Sequence, residues 1–142
     1  MSNWRDDIEE SLAAFKTIAD LARVPLGDRQ LIVEYCEARH EQPRRLPSDM
    51  RAVYGFWGLE QWLKIGKAGP KSNARYTSQH YTGSAISTLS GSISRDSRMR
   101  NVPGLNPDAP GEWIKACTNR VNILIAVTAP SALPARATEP SV

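Results

Sequence analysis

The chain has 142 residues, 41% hydrophobic and 23% charged, with 18 basic and 15 acidic side chains for a formal charge of +3. No apolar run approaches the roughly 18 residues that span a bilayer, and Met1 to Glu10 is polar and acidic, unlike a signal peptide. Two cysteines, Cys36 and Cys117, are too few for a disulfide scaffold or a complete zinc site, so the composition predicts a soluble, reduced, cytoplasmic protein without a membrane partner.

Charge divides unevenly along the chain. Residues 1–60 carry 8 basic and 11 acidic side chains, or −3, and residues 61–142 carry 10 and 4, or +6. A half at +6 attracts phosphate through counterion release, which makes nucleic acid a candidate partner; a solvated basic face is the equally weighted alternative.

From Asn3 to about Ala22, the residues Trp4, Ile8, Leu12, Phe15, Ile18 (or Ala19) and Ala22 recur near every 3.6 positions and predict an amphipathic helix. Its other face carries Asp6, Asp7, Glu9 and Glu10, which suit the positive end of a helix dipole and need no metal to account for them. After Val24 to Gly27, Asp28 reads as the cap of a second helix, about Arg29 to His40, with Leu31, Ile32, Tyr35 and Cys36 on its apolar side. Cys36 and His40 would then lie one turn apart, but without a second ligand pair they read as a core thiol and a helix-end imidazole.

From Arg51 the pattern becomes a hairpin, Ala52 to Trp57 and Trp62 to Gly66 around the turn Gly58 to Gln61. With the turn centred on Leu59, Tyr54 pairs with Lys64, placing a phenol beside an ammonium on one face. Lys67 to Lys71 is a turn, and Ser72 to Tyr81 a basic helix capped by Ser72 or Asn73 and carrying Arg75, Tyr76, Gln79 and His80. Ile86, Leu89 and Ile93 predict a short helix within 82–94, Arg95 to Gly111 a loop, Glu112 to Thr118 a helical turn, and Arg120 to Val127 a buried or edge strand. From Thr128 the chain is Ala, Pro, Ser and Thr with almost no large apolar residue, which predicts a disordered tail of the kind a truncation or altered reading frame leaves.

Ala52-Val53-Tyr54, Lys64-Ile65-Gly66 and the helix bearing Arg75 resemble, in order and spacing, the name motifs of the GIY-YIG endonuclease family, in a branch with lysine at the second tyrosine position. Trp62 to Tyr81, Gly111 to Lys115 and Asn119 to Ile125 extend the resemblance over about residues 51–127. It implies an α+β domain with a small three-stranded mixed sheet flanked by helices. Residues 1–50 would form a region of two N-terminal helices available to a protein partner, and residues 128–142 a tail. It further implies hydrolysis of DNA phosphodiester bonds with a divalent ion, Mg2+ or Mn2+.

Hydrolysis of a phosphodiester needs an activated water and neutralisation of the charge on the pentacoordinate transition state. By the resemblance, Tyr54 orients or deprotonates that water, Arg75 contacts the scissile phosphate, and His80, with Tyr76 as substitute, carries a proton. Lys64 would supply the cation that lowers the Tyr54 pKa, and the Arg75 fork suits two phosphate oxygens. On an α-helix His80 would stand about 140° around the axis from Arg75. The family holds its ion with a glutamate on a helix after the third strand. Only Glu139, ahead of a proline, is acidic there, so Glu112 is the candidate ligand, with a helix-start role as its alternative.

Lys67, Lys71 and Tyr76 are candidate nucleic-acid contacts. Arg95, Arg98, Arg100, Lys115 and Arg120 could follow a phosphate backbone, and Trp57 or Trp62 could stack on bases or support the hairpin. The competing function is a noncatalytic DNA-binding or protein-interaction module.

Overall fold

The computed structural model describes residues 3–23, 31–83 and 88–126; Asp28, Ile86 and the predicted tail lie outside the described residues. The fold is α+β. Helix α1 (Trp4–Leu21) is followed by strands β1 (Ile32–Cys36), β2 (Met50–Gly58) and β3 (Gln61–Ala68). A π-helical turn (Arg75–Gln79) then runs into α2 (His80–Thr82), and α3 (Leu89–Arg95), a 3-10 turn (Ser97–Met99), α4 (Gly111–Cys117) and β4 (Asn119–Ala126) complete the order.

The four strands make one antiparallel sheet in the order β1-β4-β2-β3, in place of the expected three-stranded mixed sheet. The second N-terminal helix is not formed; its residues supply β1 instead. Leu31, Ile32, Tyr35 and Cys36 fit a helical spacing, but Ile32, Glu34 and Cys36 also alternate with Val33 and Tyr35 at the period of a strand. Pairing decides between them: β4 already has β2 on one side, and β1 gives its other row of backbone N–H and C=O groups their partners.

The hairpin turns on Leu59 and Glu60, at φ 52° and 60°, both left-handed as a two-residue turn matching the strand twist requires. A register shift at Phe56/Trp57 leaves Leu63 as an extra residue in β3, so Tyr54 pairs with Gly66 and Lys64 with Phe56. The partner of Tyr54 therefore lies two residues beyond the expected Lys64, one because the turn centres between Leu59 and Glu60 and one because of the bulge. Two rows of partners cross the sheet: Glu34, Asn122, Tyr54 and Gly66, then Cys36, Arg120, Phe56 and Lys64.

On this front face, Tyr76, Tyr81, Leu89, Ile93, Trp113 and Ile114 of the helical segments pack against Tyr54, Phe56 and Leu124 to form the core. The back face is covered by α1, whose Asn3 cap accepts a hydrogen bond from the Arg5 amide at 2.9 Å. Trp4 packs edge-on against Tyr35 and Trp62, Trp62 Nε1 donates to Asp7 at 3.1 Å, and Arg5 pairs with Glu37. Further along α1 the apolar stripe is left open, with Phe15, Ile18 and Leu21 exposed.

Neither Leu59 nor Glu60 favours a left-handed backbone, and each such residue costs about 1 kcal/mol. Replacing the pair by Asn-Gly (Leu59→Asn with Glu60→Gly) should raise stability by about 1 kcal/mol or more, read as a higher urea midpoint at unchanged slope.

Candidate active site

The site begins with what β3 lacks. Gly66 faces Tyr54 across the hairpin, and a Cβ at Gly66 would stand 2.6 Å from the Tyr54 oxygen and 2.7 Å from its ring. Only a residue without a side chain lets the phenol lie over β3. The chain then turns at Gly69–Ser72, where Ser72 Oγ accepts from the Gly69 amide at 2.8 Å and the Ser72 amide donates to the Gly69 carbonyl at 3.0 Å. Asn73 Oδ1 accepts from the Leu46 amide at 2.6 Å, pinning the start of the next helix to the segment before β2.

That helix opens with the π-helical turn, and this changes which residues share a side. In an α-helix Arg75 and His80 would diverge; i→i+5 bonding brings residues five apart back onto one side. Both consequently reach Tyr54. His80 Nε2 lies 2.7 Å from the Tyr54 oxygen, and Arg75 forms a hydrogen bond with the same oxygen.

The direction of the proton follows from the far side of the ring. His80 Nδ1 lies 2.9 Å from the Leu89 backbone N–H, which can only donate. Nδ1 is therefore the acceptor, and in neutral His80 the proton sits on Nε2 and is donated to Tyr54. His80 is fully buried, and burial, reinforced by Arg120, Lys64 and Arg75, pushes its pKa down to about 4. Tyr54, 1% exposed, has its pKa raised by burial, an effect that Arg120 and Arg75 only partly offset, so it rests as a phenol. With His80 and Arg75 both directed at its oxygen, the hydroxyl proton is left to donate to a third partner.

A second histidine–tyrosine pair lies beside the first, with the opposite polarity. His40 Nδ1 faces the Thr118 carbonyl at 3.0 Å and so carries the proton, leaving Nε2 to accept from the Tyr81 hydroxyl at 2.9 Å. Arg120 joins the two pairs. Its guanidinium donates to the Tyr81 oxygen at 3.1 Å, to Asn122 Oδ1 at 2.7 Å and to the Tyr76 carbonyl at 2.9 Å, and its Cζ lies 4.9 Å from the ring centres of Tyr54 and Tyr76.

The other sequence candidates separate into exposed and enclosed groups. Lys64 and Arg75 are half-buried, and Lys67 and Lys71 are exposed. Tyr76 is buried with its pKa pushed up to about 12, chiefly by desolvation, so it is a core residue and not a nucleic-acid contact. Arg120 is 0% exposed and cannot follow a phosphate backbone. Arg98 is held by Asp96 at 2.8 Å, Lys115 lies between Glu41 and Glu112, and Arg95 and Arg100 are exposed. Trp57 and Trp62 pack edge-on at 5.2 Å and support the hairpin.

Glu112 is exposed at the start of α4, 3.8 Å from Lys115, and is not among the residues around the Tyr54 oxygen. Among the described residues no three His, Cys, Asp or Glu side chains come together as a cation site. Also among the described residues, no helix is long and apolar enough to cross a membrane.

Sequence reasoning missed His40, Tyr81 and Asn122 as members of the network. The available signal was the alternation Arg120, Asn122, Leu124 on one face of a strand whose other face is Val121, Ile123, Ile125.

Folded His80 takes up its proton near pH 4 and unfolded His80 near pH 6.5, so between these values the unfolded state binds more protons. The His80 contribution is fully present above pH 6.5 and should fall by roughly 3 kcal/mol as pH is lowered to 4. Urea midpoints measured across this range should decline steeply in the parent chain and more gently in His80→Gln. Comparison of the chain with protein-family models, curated proteins and solved structures finds no match, so the chemistry of the site rests on its own geometry.

Proposed function

We propose that the chain is a GIY-YIG-like endonuclease that acts on DNA phosphodiester bonds. The observation that carries this reading is the convergence of His80 and Arg75 on the Tyr54 oxygen above Gly66. It gives a physical reason for each motif element that the resemblance names. The first motif supplies the phenol, the second supplies the glycine that makes room for it, and the following helix supplies the arginine and histidine. β4 returning beside β2 gives this hairpin its third strand.

In this reading Arg75 and Lys64, the half-buried cations of the site, bind the phosphate and neutralise charge as it develops. Tyr54 positions the attacking water through its hydroxyl. The His80 N–H and the Arg75 guanidinium, both facing the Tyr54 oxygen, hold that hydroxyl in the orientation in which it meets the water. Lys67 and Lys71 extend the contact along the backbone.

The divalent ion, Mg2+ or Mn2+, enters with the resemblance alone. Glu112, turned to Lys115, does not provide a donor set for it. That no three His, Cys, Asp or Glu side chains come together as a cation site among the described residues favours a second reading, a noncatalytic DNA-binding module that keeps the phosphate contacts.

Nicking of supercoiled plasmid with Mg2+ or Mn2+, against an EDTA control, tests the proposal. Arg75→Ala and Tyr54→Phe should each lower the rate by about 100-fold or more, the second while keeping the ring that packs the core. Salt-sensitive DNA binding without metal-dependent nicking would select the noncatalytic module. Lys67→Ala and Lys71→Ala should each weaken binding across sequences and reduce the slope of log K against log salt by about 1.

A further inference from the structure

The open part of the back face is more than an uncovered helix. Between α1 and the ends of β2 and β3 lies a groove of about 980 Å3, near the top of the roughly 300–1,000 Å3 range of ligand pockets. Its floor is apolar, formed by Phe15, Val53, Ile123 and Ile125. Its rim is cationic, formed by Arg51, Lys67, Lys71 and Arg75, and no carboxylate is among the described residues that line it. Phe15 and Val53 are each 47% exposed, an open apolar surface of the kind that marks a binding site.

We propose that this groove holds an unpaired stretch of nucleic acid, bases on the apolar floor and phosphates along the rim. The proposal rests on the endonuclease reading and names its substrate: DNA with a single-stranded segment next to the bond addressed by Tyr54. Three features argue for this occupant. The rim is of one sign, which a polyanion satisfies with release of counterions. The floor offers contact to base faces, which a duplex keeps stacked inside and an unpaired strand exposes. Arg75 belongs both to the rim and to the Tyr54 oxygen, so a strand leaving the groove meets the site at its next phosphates.

Fluorescence anisotropy of the full chain with three labelled DNAs tests it: a blunt duplex, the same duplex with an unpaired extension, and the single strand. The extended duplex should bind about 10-fold more tightly than the blunt one. Val53→Asp and Phe15→Glu, each checked for folding by thermal melt, should bring that ratio close to one. Ile65→Glu, at a 64% exposed apolar position outside the groove, should leave the ratio unchanged. Equal binding of blunt and extended duplexes by the parent chain overturns the groove assignment and leaves the Tyr54 reading standing, whereas no DNA binding in any form overturns both. A dimer in sedimentation that Val53→Asp dissociates, with no preference for the extension, overturns the proposal in favour of a second copy as occupant.

Discussion

The Arg120 guanidinium is the constraint around which the front of the sheet is arranged. A fully buried cation is costly unless its donors are met, and no carboxylate among the described residues forms an ion pair with it. Its requirement is met by oxygen atoms and rings instead: three hydrogen bonds at its edges and the aromatic side chains of Tyr54, Phe56, Tyr76 and Tyr81 around it. A planar, weakly hydrated guanidinium can be held this way, where a lysine ammonium could not reproduce the fork and the stacking together. Those rings come from β2, the π turn and α2, so one side chain on β4 ties the sheet to its helical cover. Burial is the chief cause of the depressed pKa values of both adjacent imidazoles, and the positive centre beside them, which disfavours any added proton, reinforces it, so both can serve as fixed neutral donors or acceptors.

Much of this architecture was legible where a single local period governs. The stripe from Trp4 to Ala22 reads as α1, the aromatic and β-branched runs on either side of Gly58 as a hairpin, and Arg120 to Val127 as a strand. What could not be read depended on distant partners. Ile32 to Cys36 carries two periods at once, and only the free side of β4 selects the strand. The register of Tyr54 hinged on a turn centred between Leu59 and Glu60 and on Leu63, an ordinary apolar residue that nothing local identifies as a bulge. The phosphate role first given to Arg120 failed for the same reason: a charged residue in a strand looks solvent-facing until the rings that enclose it are known.

The Tyr54 neighbourhood was legible in its membership and not in its geometry. Tyr54, Arg75 and His80 do meet, yet not through the Tyr54–Lys64 pairing that the hairpin arithmetic implied, and not on an α-helix, which would have separated two of them. The second pair, His40 and Tyr81, stayed hidden because its halves lie 41 residues apart and neither sits in a recognisable motif. Opposite proton polarity in the two pairs is set by backbone groups, the Leu89 N–H for one and the Thr118 carbonyl for the other.

The π turn has a consequence for what length variation this segment tolerates. A π turn holds one residue more than the α turn that would cover the same arc. Loss of one residue at Thr77 or Ser78 would let the segment close in its commoner form over the same arc, leaving the arginine and the histidine four apart and still on one side. His80 would keep the Tyr54 oxygen and Tyr81 would keep His40. An added residue has no such outlet, because a turn already one residue over-long passes the excess on as a rotation of about 100° to everything after it. The spacing of this segment has slack in one direction only.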